Sequence, residues 1–159
     1  MIVEDIAEKF FQDLDEPDDL SLITLAFWIR NSVGLLNEML LTSYTINQNT
    51  LEIVDKDGIE ISEDAVGVYF QLYLVHYYDK QYRSNLITMN GSMVVSVKDN
   101  QRTITMLNRN EVGKTILQAK NSAEETLKRA ITGFRMKATV PRQVIGDDTW
   151  LQNTLPPLN

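Results

Sequence analysis

A long apolar stretch near the N-terminus most strongly limits how this chain can fold. Between Leu20 and Leu51 the only charged residues are Arg30 and Glu38. Apolar residues recur there at helical spacing and cover most faces of a helix predicted over residues 19–42. A helix that is apolar around most of its circumference must be covered on several sides. We therefore expect this helix to be the central helix of a bundle and also to have one face buried by a neighbouring subunit.

Three further helices are predicted from the same kind of periodicity. The first runs over about residues 2–14 and ends in a cluster of acidic residues, whose aspartates are placed to cap the second helix. The third covers about 63–84, with Ser62 as its N-cap. The fourth covers about 109–132, with Gly133 at the position just after its last turn.

Two regions outside the helices carry β signals. The polar segment between the second and third helices contains short β-like pieces at 51–54 and 59–61, with an Asp-Gly turn at 57–58. Residues 93–107 alternate between apolar and polar around a charged turn, which is typical of a β-hairpin. This hairpin directly precedes the fourth helix.

These elements predict a mainly α fold: a small bundle of about four helices, a short β-hairpin before the last long helix, and an extended C-terminal arm. A chain of 159 residues is long enough for one domain and an appendage. We assign residues 1–134 to the helical domain, with the hairpin at about 93–107, and residues 135–159 to the arm.

The arm lacks the apolar periodicity that would let it bury enough surface to order itself. It does contain a tryptophan, a residue that often concentrates binding energy when a partner supplies a pocket. We therefore interpret the arm as a docking segment. Its candidate partner-binding residues are Arg135, Lys137, Pro141, Arg142, Trp150 and Leu151.

The net charge of −7 is distributed unevenly. Residues 1–20 carry eight acidic residues and one lysine, whereas residues 98–142 carry ten basic and four acidic residues. Such polarity arises from solvated helix faces, or it provides complementary patches for head-to-tail assembly. The overall acidity argues against a free nucleic-acid-binding protein.

Several classes of protein are disfavoured by composition. The chain has no cysteine, so it has neither a disulfide framework nor a thiolate metal site. No signal peptide is visible, and the longest apolar run, residues 20–29, is about half of the roughly 20 residues that span a bilayer. We expect a soluble intracellular product that does not enter a membrane.

Three motifs suggest chemistry, but each has a simpler explanation. The Gly-Lys-Thr at 113–115 has Asn108 where a phosphate-binding loop needs glycine. His76, the single histidine, has no ligand set or nucleophile at a suitable spacing and is predicted to be structural and partly buried. Residues 55–58 match only a fragment of a calcium loop and indicate a turn. We predict no catalytic residue, no cofactor and no metal.

An aromatic face of the third helix has two interpretations. Tyrosines at i, i+4 spacing are most often core residues, but their apolar rings and polar tips also suit a partly wet subunit interface. Both interpretations stay open. The candidate subunit-interface residues are Trp28, Leu35, Tyr69, Tyr73 and Tyr77.

The order of the elements resembles that of the head–tail connector adaptors of tailed bacteriophages, small α-helical proteins that form a ring beneath the portal. Residues 95–104 and 108–114 carry the resemblance best, because a hairpin or loop of this kind precedes the last long helix in such proteins. By layout the resemblance covers most of the chain. Two departures are the long polar segment at 43–61 and strands that are better formed than in a purely helical adaptor.

The resemblance implies a structural virion protein and not an enzyme. It implies a twelve-membered ring in the virion neck, assembled in the host cytoplasm, through which double-stranded DNA passes without sequence-specific binding. The arm would dock onto the portal, another face would receive a stopper or tail protein, and Lys98 and Arg102 would make contacts from the hairpin. The alternative is a cytoplasmic helical protein-binding or regulatory module that uses the arm containing Trp150.

Overall fold

The computed structural model describes residues 1–89, 96–99, 102–105 and 109–139. That part of the chain contains four helices and two small antiparallel sheets, which confirms the predicted mainly α fold with a hairpin before the last helix. The elements are α1 (Val3–Asp13), α2 (Leu22–Leu40), β1 (Thr45–Ile46), β2 (Ile53–Val54), α3 (Glu63–Met89), β3 (Ser96–Asp99), β4 (Arg102–Thr105) and α4 (Arg109–Thr139).

Helix α2 begins after Ser21 and not at the aspartates that precede it. The Ser21 Oγ accepts a hydrogen bond from the backbone N–H of Thr24 at 3.3 Å, which satisfies one of the free donors of the first turn. The aspartates do not cap the helix because the backbone is still in a turn there, with the N–H of Leu20 bonded to the carbonyl of Pro17 at 3.1 Å. The prediction of an aspartate cap is therefore wrong.

The segment between α2 and α3 forms a small ribbon that also holds the N-terminus. Strand β1 pairs antiparallel with β2. Isolated bridges join Ile2 to Glu52 and Val54 to Glu60. Both predicted β-like pieces therefore take part in β-pairing, and the first of them contains β2.

The turn predicted at the Asp-Gly pair is confirmed. The Asp55 Oδ1 accepts hydrogen bonds from the backbone N–H groups of Asp57 and Ile59, at 2.8 and 3.0 Å. Gly58 has a φ of 76°, a left-handed conformation that glycine adopts without a steric penalty because it has no Cβ. The carboxylate of Asp55 thus holds its own turn.

The core lies where α1 and α2 pack against the first half of α3 and the second half of α4. Phe10 of α1 is fully buried at its centre. Its ring centroid lies 6.1 Å from that of Tyr69, 5.1 Å from that of Phe70 and 6.1 Å from that of Tyr73. Trp28 of α2 also lies over Tyr69 and Tyr73, at 5.6 and 4.9 Å between ring centroids, so α1 and α2 of the same chain cover the tyrosine face of α3 together.

One buried polar group crosses this core. The Tyr69 hydroxyl donates a hydrogen bond to the backbone carbonyl of Ile29 and lies 2.9 Å from the Oγ of Ser32. Burial raises the pKa of the Tyr69 hydroxyl, so it stays protonated and available as a donor. The bond fixes the position of α3 along α2, because a buried hydroxyl without a partner would be destabilising.

Helices α3 and α4 form a long antiparallel pair that extends past the core. Lys137 donates a hydrogen bond to Asp64 at 2.8 Å, and Lys120 donates one to Asp79 at 2.6 Å. With 27 and 31 residues, the helices are about 40 and 46 Å long. The buried residues of α3 end at Tyr73. The later turns of α3 and the facing turns of α4 therefore project from the body, and we call this part the projection.

Helix α4 continues past its predicted end. Gly133 lies inside the helix, so the prediction that it follows the last turn is wrong. The additional turns are stabilised by contacts with the body: Phe134 packs against the core, and the Nε and Nη2 of Arg135 donate to the carbonyl of Met39 at 3.0 and 2.7 Å. The helix ends at Thr139, and the body therefore includes the first residues that we assigned to the arm.

The hairpin predicted over residues 93–107 is present before α4, with its strands at Ser96–Asp99 and Arg102–Thr105. Val97 of β3 pairs with Ile104 of β4, and the pairing continues to Asp99 and Arg102. Lys98 and Arg102 are thus strand residues and not members of a loop. Their side chains, and the remaining residues of the predicted 93–107 hairpin, lie outside the described part of the chain.

Candidate protein-interaction surface

The first turns of α2 leave large apolar side chains exposed to solvent. The inward face of α2 is buried against α1 and α3, but Ile23 is 83% exposed and Phe27 is 67% exposed. Leu22 beside them is also exposed. We call Leu22, Ile23 and Phe27 the apolar ridge. Contiguous exposed apolar groups rimmed by polar residues are typical of protein interaction sites.

An open groove of about 510 Å³ lies on one side of the ridge, between α1 and α2. Its apolar part consists of Ala7, Ala26 and the ridge. Glu4 and Glu8 line its α1 wall and Arg30 lines its α2 wall, so the groove carries two carboxylates and one cation, and we call it the acidic groove. Within the described residues, these two carboxylates make no hydrogen bond or ion pair. Unpaired charge beside exposed apolar surface resembles the polar rim of an interface.

A smaller cleft of about 200 Å³ lies on the other side of Phe27. The indole of Trp28 lines this cleft, and its ring centroid lies 4.9 Å from that of Tyr73 and 5.4 Å from that of His76. The Trp28 and His76 rings stack at an interplanar angle of 29°. This stacking packs α2 against α3 where the body gives way to the projection.

His76 is more exposed than the sequence predicts, although one face of its ring is covered by Trp28. Burial lowers the pKa of His76, and the nearby charges of Lys80 and Arg83 act in the same direction, opposed by Asp79. The imidazole is therefore neutral at pH 7. No described side chain forms a hydrogen bond with it, so its observed role is aromatic packing.

A second groove, of about 420 Å³, follows one face of α3 along the projection. Lys80, Arg83 and Ile87 line it, and we call these three residues the basic stripe. Asp79 also lines this groove, and it accepts a bond from Lys120 at 2.6 Å and pairs with Arg83 at 2.7 Å. The hydrogen bond from Lys120 lowers the pKa of Asp79, so its carboxylate stays ionised and paired.

The structure separates the predicted subunit-interface residues into two groups. Tyr69 and Tyr73 are buried in the core of their own chain and cannot contact another copy, so they are core residues. Trp28 and Tyr77 are half-buried and line the smaller cleft. Leu35 is 42% exposed on α2. Of the five predicted residues, only Trp28, Leu35 and Tyr77 are accessible.

The predicted arm residues also divide into two groups. Arg135 and Lys137 are in α4 and bond to Met39 and Asp64 of the body, so the prediction that they belong to an extended arm is wrong. These tertiary contacts had no local signal in the sequence. The other predicted arm residues, Pro141, Arg142, Trp150 and Leu151, lie outside the described part of the chain.

The apolar ridge and the acidic groove are the features that sequence reasoning missed. A signal for them was present, because α2 is apolar on nearly every face and α1 is acidic on its outer face. The pattern did not show which side of α2 stays uncovered. That side is fixed by the tertiary placement of α1.

The described residues contain no group of three or more His, Cys, Asp or Glu side chains placed to hold a metal ion. Among the described helices, none combines the length and apolar character needed to cross a membrane. Comparisons with protein families, with characterised proteins and with solved structures returned no match for this chain.

Proposed function

We propose that this protein is a structural adaptor of the tailed-phage neck, a ring that joins the portal to the stopper or tail and surrounds the DNA channel. The observation that carries the proposal is the exposed apolar ridge. Ile23 and Phe27 stay in solvent on a chain that already has a complete core of its own. A partner that covers this surface would remove apolar area from water, which favours association.

The architecture supports the proposal by agreeing with the layout on which the resemblance rests. A helical body is followed by the long α3–α4 pair, and the β3–β4 hairpin precedes the last helix. Elongated helical pairs offer long side surfaces for packing against neighbouring copies. A ring requires such surfaces on two sides of each subunit.

In the proposed ring the body and the C-terminal arm have different roles. The body supplies the contacts between copies, and residues 140–159 form the arm that docks onto the portal. Those 20 residues could reach about 70 Å when extended. Trp150 is the anchor, because a buried tryptophan often dominates the binding energy of an interface.

Electron microscopy and light scattering of the purified full-length chain, alone and with the portal protein of the same phage, test the proposal. A ring of twelve 18.2 kDa chains would have a mass of about 220 kDa and a central opening. Rings of this kind, on the portal or free, are the expected result. A chain that keeps the mass of one subunit at every concentration, with and without portal protein, would contradict the proposal.

A further inference from the structure

We infer that the basic stripe of one copy docks in the acidic groove of the next copy. This inference rests on the proposed function, because it names the contact through which adjacent subunits of the ring would join. The occupant of the groove is thus a second copy of this chain. The shape and charge of the two surfaces favour this occupant.

The acidic groove has the form of a receptor for a helix. Its walls are two neighbouring helices, and its apolar part includes Ala26 and Phe27. Glu4 and Glu8 are one helical turn apart and therefore lie on the same side of α1. A helix that presents one apolar anchor and two basic side chains at matching intervals would cover the apolar part and pair with both carboxylates.

The basic stripe has that spacing. Lys80, Arg83 and Ile87 are at positions i, i+3 and i+7, so they share one face of α3. Ile87 is 76% exposed and supplies the apolar anchor. Lys80 forms no ion pair with any described residue, and Arg83 pairs only with Asp79 of its own helix in that part of the chain.

Charge complementarity selects the stripe over other surfaces. The groove carries the unpaired carboxylates of Glu4 and Glu8 against the single cation of Arg30, whereas the stripe carries two cations. Asp79, which also lines the stripe's groove, is already paired with Lys120. Complementary patches of this kind steer two surfaces together and disfavour pairing of like charges.

The two surfaces lie on different parts of the molecule. The groove is on the body beside α1, whereas the stripe is on α3 where it leaves the core. Each copy can therefore insert its stripe into one neighbour and still offer its own groove to another. Contacts of this head-to-tail kind continue from copy to copy and close into a ring when the rotation allows it.

The test compares two pairs of neutralising substitutions, Glu4→Gln with Glu8→Gln and Lys80→Gln with Arg83→Gln. All four residues are outside the core, so circular dichroism should show an unchanged fold. Each double variant should weaken self-association at least about tenfold in light scattering. The two variants mixed in equal amounts should form pairs of two chains and nothing larger, because only one native groove and one native stripe meet.

Matched controls remove the same number of charges elsewhere. Glu38→Gln with Asp57→Asn, and Lys128→Gln with Arg129→Gln, change exposed residues outside both surfaces and should leave assembly unchanged. Reversing all four charges in one chain, with Glu4→Lys, Glu8→Lys, Lys80→Glu and Arg83→Glu, should restore assembly because the complementarity returns.

The wild-type and variant results decide separate questions. Wild-type rings together with rings of equal stability in both neutralising variants would overturn the inference and leave the adaptor function in place. Equal weakening by the control substitutions would overturn it as well, because the effect would then be one of net charge. A wild-type chain that never assembles, with or without portal protein, would overturn the proposed function itself.

Discussion

Phe10→Ala should lower the free energy of unfolding by about 4 kcal/mol, the largest effect that we expect from a single substitution. Phe10 is fully buried and contacts the aromatic rings of Tyr69, Phe70 and Tyr73. Removing its ring leaves a cavity between α1 and α3, and the packed helices can collapse into that cavity only in part. Urea unfolding, monitored by circular dichroism, measures the change in the free energy of unfolding.

Phe27→Ala is the matched control for this substitution. It removes the same group from a position that is 67% exposed, so it should change the free energy of unfolding by less than about 1 kcal/mol. Both variants should be measured at low protein concentration, because self-association would otherwise contribute to stability. Equal losses in the two variants would mean that the core is not centred on Phe10.

A chain ending at Thr139 should keep its fold and lose all measurable docking onto the portal. The buried residues of the described part of the chain all lie between Val3 and Leu127, so residues 140–159 are not needed for the core. The free energy of unfolding should stay within about 1 kcal/mol of the full-length value. Thermal melting and a portal-binding assay with immobilised portal protein measure the two properties.

A shorter chain ending at Phe134 is the comparison for this truncation. It also removes the bonds of Arg135 to the carbonyl of Met39 and of Lys137 to Asp64. It should therefore be less stable than the chain ending at Thr139 by about 1–2 kcal/mol. Portal binding retained by the chain ending at Thr139 would refute the docking role of the arm. Loss of cooperative melting in that same chain would show that the arm belongs to the core.

The helices could be predicted because apolar periodicity is a local property of the sequence. Their ends could not, since they depend on neighbours in space. Asp18 and Asp19 are good capping residues, yet Ser21 caps α2 because the chain is still turning before it. Gly133 is a common helix terminator, yet contacts of Arg135 with the end of α2 keep α4 helical for six residues more.

The candidate surface was harder to predict than the fold. Tyr69 and Tyr73 met the pattern of an interface as well as that of a core. The choice depended on Phe10 of α1 and Trp28 of α2, which cover them. Ile23 and Phe27 stayed unnoticed because α2 is apolar on nearly every face. When a helix has no polar face, its sequence does not show which of its sides faces solvent. The sequence therefore does not indicate which side of α2 is left uncovered.

A photo-crosslinking amino acid in place of Trp150 would test most directly whether this protein works by inserting its C-terminal segment into another molecule. The experiment uses the full-length chain assembled with the portal protein proposed as its partner, with the products identified by mass spectrometry. Crosslinks that join position 150 to a different chain are the predicted result. Crosslinks confined to helices of the same chain would contradict the account.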